Sequence, residues 1–119
     1  MKEMMMKPKI WLIIIGIMHL LMGVIVSYLT VGNEENLGMF IYFGFVCIYL
    51  FYAAFMTEGQ TQSRLAVILC APVVGWFIIS AIMKLNMFGQ PIAEMPMVLL
   101  PLFLWTMPAL TGFMNWDSE

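Results

Sequence analysis

The sequence predicts an all-α membrane protein, a single domain over 1–119 built as an up-down-up-down bundle of four transmembrane helices with both termini in the cytoplasm. Three observations carry this prediction. The chain is 63% hydrophobic and only 10% charged, with a mean hydropathy of +0.96, so lipid must solvate most of its surface. Four stretches, 10–31, 37–57, 65–86 and 96–116, each supply the roughly 20 apolar residues that a bilayer core requires. The connections between them are short, about five, seven and nine residues, which forces successive helices to lie antiparallel side by side. None of the stretches alternates as barrel strands do, so each must satisfy its backbone as a helix.

The first helix follows Pro8 and a basic leader, Lys2, Lys7 and Lys9. Its apolar run outlasts the ~7–15 residues of a signal h-region and ends at "SYLTVGNEEN" without an A-x-A-like site, so it is expected to be retained. In the second helix Tyr42, Phe45, Tyr49 and Tyr52 recur at spacings of three and four, an aromatic ridge on one face. The third contains Pro72 and a mid-depth Trp76. The fourth is expected to begin with Pro96 in its first turn and to hold Pro101 and Pro108 in its interior, seven residues apart on one face, where they would kink it. Trp11, Trp116 and Tyr28 fall at helix ends, where amphipathic rings prefer to lie, whereas Trp76 and Trp105 fall at mid-depth and should point into protein.

Basic residues set the orientation. With the N-terminus inside, Lys2, Lys7, Lys9 and Arg64 are cytoplasmic and only Lys84 is outside. The expected location is a bacterial inner membrane. A net charge of −2 without a basic patch is too small to imply a nucleic-acid or lipid-headgroup partner, and no nucleic-acid partner is expected. Cys47 and Cys70 lie at different depths, about 15 Å and 7 Å from the cytoplasmic ends of their helices, and are read as small buried residues rather than a disulfide.

All seven acidic residues, Glu3, Glu34, Glu35, Glu58, Glu94, Asp117 and Glu119, lie outside the spans or at their edges. Carboxylate-driven transport and carboxylate hydrolysis are therefore not expected. No P-loop, G-x-G-x-x-G, H-E-x-x-H or C-x-x-C occurs, and no catalytic residue is assigned.

His19, in "GIMHLLMGV", is the only histidine and sits within the first apolar run. Gly16, Gly23 and Ser27 form a small-residue stripe at spacings of seven and four, and His19 shares that face. Such a stripe predicts close helix packing with the imidazole turned into protein. At about 14 Å depth His19 is level with Cys47, Tyr49, Trp76 and Thr106. Three roles follow for it: a packed, hydrogen-bonded ring, a polar anchor for a ligand or proton, or a ligand to haem or copper with Met18 or Met22. The last lacks ligands in this chain, and the fourteen methionines are scattered as flexible filler, so no cofactor and no metal site is assigned.

The first helix, "IIIGIMHLLMGVI", resembles that of the DoxX-type small membrane proteins in its glycine spacing. That resemblance implies a four-helix membrane architecture and no residue roles. The functional expectation is an accessory or assembly subunit of a larger membrane complex, without catalysis of its own, whose partners are the lipid bilayer and other membrane subunits or further copies of itself. The alternatives are a small oligomeric transporter or channel around the His19 layer, and a haem, quinone or metal-binding membrane anchor.

Overall fold

The computed structural model describes residues 5–87 and 89–117 and is helical over most of its length. Lys2, Glu3 and Glu119 lie outside the described residues. A continuous helix runs over Pro8–Val31 as α1 (Pro8–Met18), a π-helical stretch (His19–Val26) and α2 (Ser27–Val31). There follow α3 (Leu37–Phe55), α4 (Gly59–Met83), a two-residue ribbon of β1 (Asn86–Met87) antiparallel to β2 (Gln90–Pro91), and α5 (Leu99–Met114). Three helices, Pro8–Val31, Leu37–Phe55 and Gly59–Met83, are long and apolar enough to cross a membrane. The fourth is shorter: its 16 residues span only about 24 Å.

Pro8 opens α1, as its missing N–H favours. Pro101 departs from expectation. Because α5 starts at Leu99 rather than at Pro96, Pro101 falls in the first turn, where a helix needs no N–H donor, and Pro108 alone is interior. Pro96 stands before the helix, after a cis peptide bond from Met95. The segment expected to link the second and third helices, 58–64, is mostly helical instead: α4 starts at Gly59. Its polar residues are used there, since Gln62 and Ser63 are buried against neighbouring helices.

Each helix contributes to one core, Leu12 and Ile15 from α1, Leu50, Ala53 and Ala54 from α3, Ala66 and Cys70 from α4, and Trp105 from α5. Most of these residues lie toward the end of the bundle that holds the N-terminus of α1 and the C-terminus of α5. There Asn115 Nδ2 donates to Met6 O at 2.8 Å, and Arg64 Nε donates to Trp116 O at 3.3 Å with its guanidinium 5.0 Å from the Trp116 ring. These contacts bring both ends of the described chain and the α3–α4 turn to one end of the bundle. Trp11, expected as an interfacial ring, is buried at that end; its Nε1–H donates to Met5 O at 2.7 Å and its ring meets Phe103 edge-on. Toward the opposite end burial thins, and no residue of the π-helical stretch is fully buried.

Helix approach is set by glycine in two places. A Cβ on Gly16 would stand 2.8 Å from the Phe51 ring, so α1 meets α3 where no side chain intervenes. A Cβ on Gly112 would stand 2.5 Å from Ser63 O and 3.0 Å from Ala66 Cβ, which makes Gly112 the contact that seats α5 on α4. Small residues permit such crossings because helix association in lipid depends on close packing rather than on water expulsion.

Candidate functional site

His19 begins the π-helical stretch, and its own N–H is shared between Gly16 O and Ile15 O as the hydrogen-bond ladder changes register. At the far end of this stretch Ser27 Oγ donates back to Met22 O at 2.6 Å. Ser27 therefore serves its own helix. The predicted stripe is divided in the same way: Gly16 meets α3, whereas a Cβ on Gly23 would stand 2.7 Å from Nδ1 of His19, so Gly23 makes room for the imidazole.

The half-buried ring is held from two sides. Nε2 lies 2.9 Å from Phe43 O on α3, and the ring stands edge-on to Trp105 of α5 with centroids 5.3 Å apart. A carbonyl oxygen only accepts, so Nε2 carries the proton; in the neutral ring Nδ1 is then a lone-pair acceptor. Among the described residues nothing donates to it. Cys47 is buried beside this contact, its Sγ 3.9 Å from the same Phe43 oxygen. Further rings continue from Phe43 to Phe40 at 6.0 Å and from Phe40 to Tyr28 at 5.4 Å, both edge-on.

The other candidates do not join this cluster. Thr106 Oγ1 donates to Leu102 O at 2.6 Å within α5. Tyr49 lies on the outer face of α3, 49% exposed, and Trp76 is 40% exposed and paired only with Phe77 at 5.2 Å among the described rings. Equal depth did not bring them together because depth says nothing of azimuth, and the 100° step of a helix turned both outward.

Comparison with protein-family models, with characterised proteins and with solved structures finds no match.

Two features escaped the sequence reading. Gln62, buried at the start of α4, sends Nε2 to Ala53 O, Ala54 O and Thr57 O at 3.1, 2.9 and 3.0 Å, and so helps the Thr57 hydroxyl, which donates to Ala53 O, to cap the end of α3. A polar residue five positions after the second apolar stretch was the available signal, and it resembles an ordinary loop residue. The second is the outer ridge of α3. Tyr42, Phe45, Tyr49 and Tyr52 follow the alternating three-four spacing of a helix-packing seam and lie on the face opposite Phe40, Cys47, Leu50 and Ala54. The ridge was legible; that nothing among the described residues covers it was not. For haem or copper the ligand set is poor: among the described residues no three of His, Cys, Asp or Glu stand together, and His19 has its less crowded nitrogen already engaged.

Proposed function

We propose that this protein is an accessory or assembly subunit of a larger complex in a bacterial inner membrane, with four crossings and both termini cytoplasmic. The observation that carries the reading is the uncovered α3 ridge. Its three tyrosines, Tyr42, Tyr49 and Tyr52, are 55%, 49% and 54% exposed, and among the described residues none of their hydroxyls has a hydrogen-bond partner. Tyr49 lies about 9 Å inside the end of α3, too deep for its hydroxyl to reach the headgroups easily. A hydroxyl left unpaired in hydrocarbon costs about 1–3 kcal/mol, whereas a polar side chain on a facing helix satisfies it. Four crossings are supported by the shared end of both described termini and by the apolar character of α5. The surplus of basic residues at that end, Lys7, Lys9 and Arg64 against Lys84, supports its cytoplasmic placement.

The test is mild purification from the native membrane followed by native mass measurement. A foreign subunit in fixed stoichiometry is expected, and Tyr49→Phe should weaken its retention by threefold or more, the equivalent of about 0.6 kcal/mol or above for one interhelical hydrogen bond. A protein recovered alone, or a partner held equally by Tyr49→Phe and by Tyr42→Phe/Tyr49→Phe/Tyr52→Phe, would overturn the reading.

A further inference from the structure

We propose that the outer face of α4 is the seat for the α3 ridge of a second copy of this chain, so that copies associate head to tail in the membrane. This rests on the reading of the ridge as a packing seam and names one of its partners. α4 turns Ala66, Cys70 and Ser80 into the core, and on its opposite side Ile68, Pro72, Gly75 and Ile79 follow one another at spacings of four, three and four. The ridge, extended to Gly38, has the same rhythm through Gly38, Tyr42, Phe45 and Tyr49. Ile68 and Ile79 are exposed, as is Pro72, and a Cβ on Gly75 or on Gly38 would meet nothing within 4 Å.

Two matches select α3 as the occupant. The first is size at equal height. Three bonds from Gln62 Nε2 fasten the start of α4 beside the end of α3, so heights along both helices run from one level. Counted from Phe55 and from Gln62, Tyr49 and Ile68 both stand about 9 Å up, Phe45 and Pro72 about 15 Å, Tyr42 and Gly75 about 20 Å, and Gly38 and Ile79 about 26 Å. Copies that share one orientation in a bilayer keep these heights. The Tyr42 ring of one copy then meets the open space at Gly75 of the next, and the Ile79 side chain meets the open space at Gly38, knobs into holes between antiparallel helices. The second match is a donor for an acceptor. Pro72 has no N–H, so Ile68 O lacks its helical donor on a face that lipid cannot hydrogen-bond. The Tyr49 hydroxyl has no hydrogen-bond partner among the described residues, and it leans toward the N-terminus of its own helix, the direction in which Ile68 O points from α4. A ridge set on a ridge offers neither match, since it places Tyr42 against Tyr42 and leaves Ile68 O as it was. A head-to-tail row that does not close into a ring keeps one ridge free, and that ridge remains for the foreign subunit.

The test begins in native membranes that hold a Tyr42→Cys chain together with a Gly75→Cys chain. Mild oxidation should link the two into a dimer, and neither chain alone should give one; Cys47 and Cys70 are buried and do not compete. Association is then measured by energy transfer between labelled copies of the full chain in lipid vesicles. Gly75→Leu fills an open space without touching the fold, and should weaken association about tenfold or more. Adding Tyr42→Ala to the same chain makes room for the larger side chain and should restore association to within about threefold of the unaltered protein, a recovery that misfolding would not produce. The proposal is overturned if the mixed chains give no dimer, if either cysteine chain dimerises alone as a twofold contact would, or if Gly75→Leu associates undiminished. The foreign subunit separates this outcome from the assembly reading. Gly75→Leu copies that part from one another yet retain the foreign subunit support both, whereas linked copies recovered with no foreign subunit uphold the head-to-tail contact and remove the assembly reading alone.

Discussion

Replacing Gly112 by alanine tests how α5 is seated on α4. The added methyl would lie 2.5 Å from Ser63 O, 3.0 Å from Ala66 Cβ and 3.1 Å from Val67 Cγ2. The nearest of these is a backbone oxygen inside a helix, which cannot rotate away as a side chain does. An ordinary carbon–oxygen approach is about 3.3 Å, so the helices must part locally by about 0.8 Å. Overpacking of this kind costs about 1–3 kcal/mol. Alanine also gains helix propensity of about 1 kcal/mol over glycine, which would conceal part of the cost in a single measurement. Gly75→Ala removes that ambiguity. It makes the same change in the interior of α4 where a Cβ meets nothing within 4 Å, so it carries the propensity gain without the clash. The difference between the two variants isolates the clash, and Gly112→Ala is expected to be about 1–3 kcal/mol less stable than Gly75→Ala. Unfolding in mixed micelles by titration with a denaturing detergent, followed by tryptophan fluorescence, measures both. Variants that agree to within about 0.5 kcal/mol, the usual error of such comparisons, would refute the claim that Gly112 sets the α4–α5 distance.

Two further outcomes follow from buried polar groups. Gln62→Leu keeps the volume but removes the donor to the carbonyls of Ala54 and Thr57, while Ala53 O keeps the Thr57 hydroxyl, and should cost about 1–3 kcal/mol in the same titration while hastening amide exchange in the last turn of α3; unchanged stability would mean that water or lipid headgroups cap that end equally well. Ser80 is fully buried and its Oγ has no partner among the described residues, so Ser80→Ala should leave stability unchanged or raise it by up to about 1 kcal/mol, and a clear loss would show that this hydroxyl has an acceptor.

Much of the helical architecture was legible because its cause is local. Long apolar runs place helices wherever lipid is the solvent, and Pro8 marks a helix start by a property of one residue. Boundaries set by partners were less legible. The start of α4 was misplaced because Gln62 and Ser63 look like loop residues until the end of α3 and the face of α5 are set beside them, and Pro101 looked interior until α5 was seen to begin at Leu99. At the candidate site the sequence identified His19 and its glycine neighbours, but not the acceptor: a backbone carbonyl has no letter in a sequence, and Phe43 is chosen by how the first helix leans on α3.

By itself, then, the sequence determined the solvent, the helices and a lone imidazole in an apolar run, since each depends on composition and on spacing along one chain. Tertiary structure alone decided azimuth. Rotation of each helix about its axis buries Trp105 against His19, turns Tyr49 and Trp76 outward, and sets Gly16 and Gly112 rather than Gly23 at the tight helix crossings. That rotation is fixed by packing summed over all the helices together, a quantity that no single stretch of sequence contains.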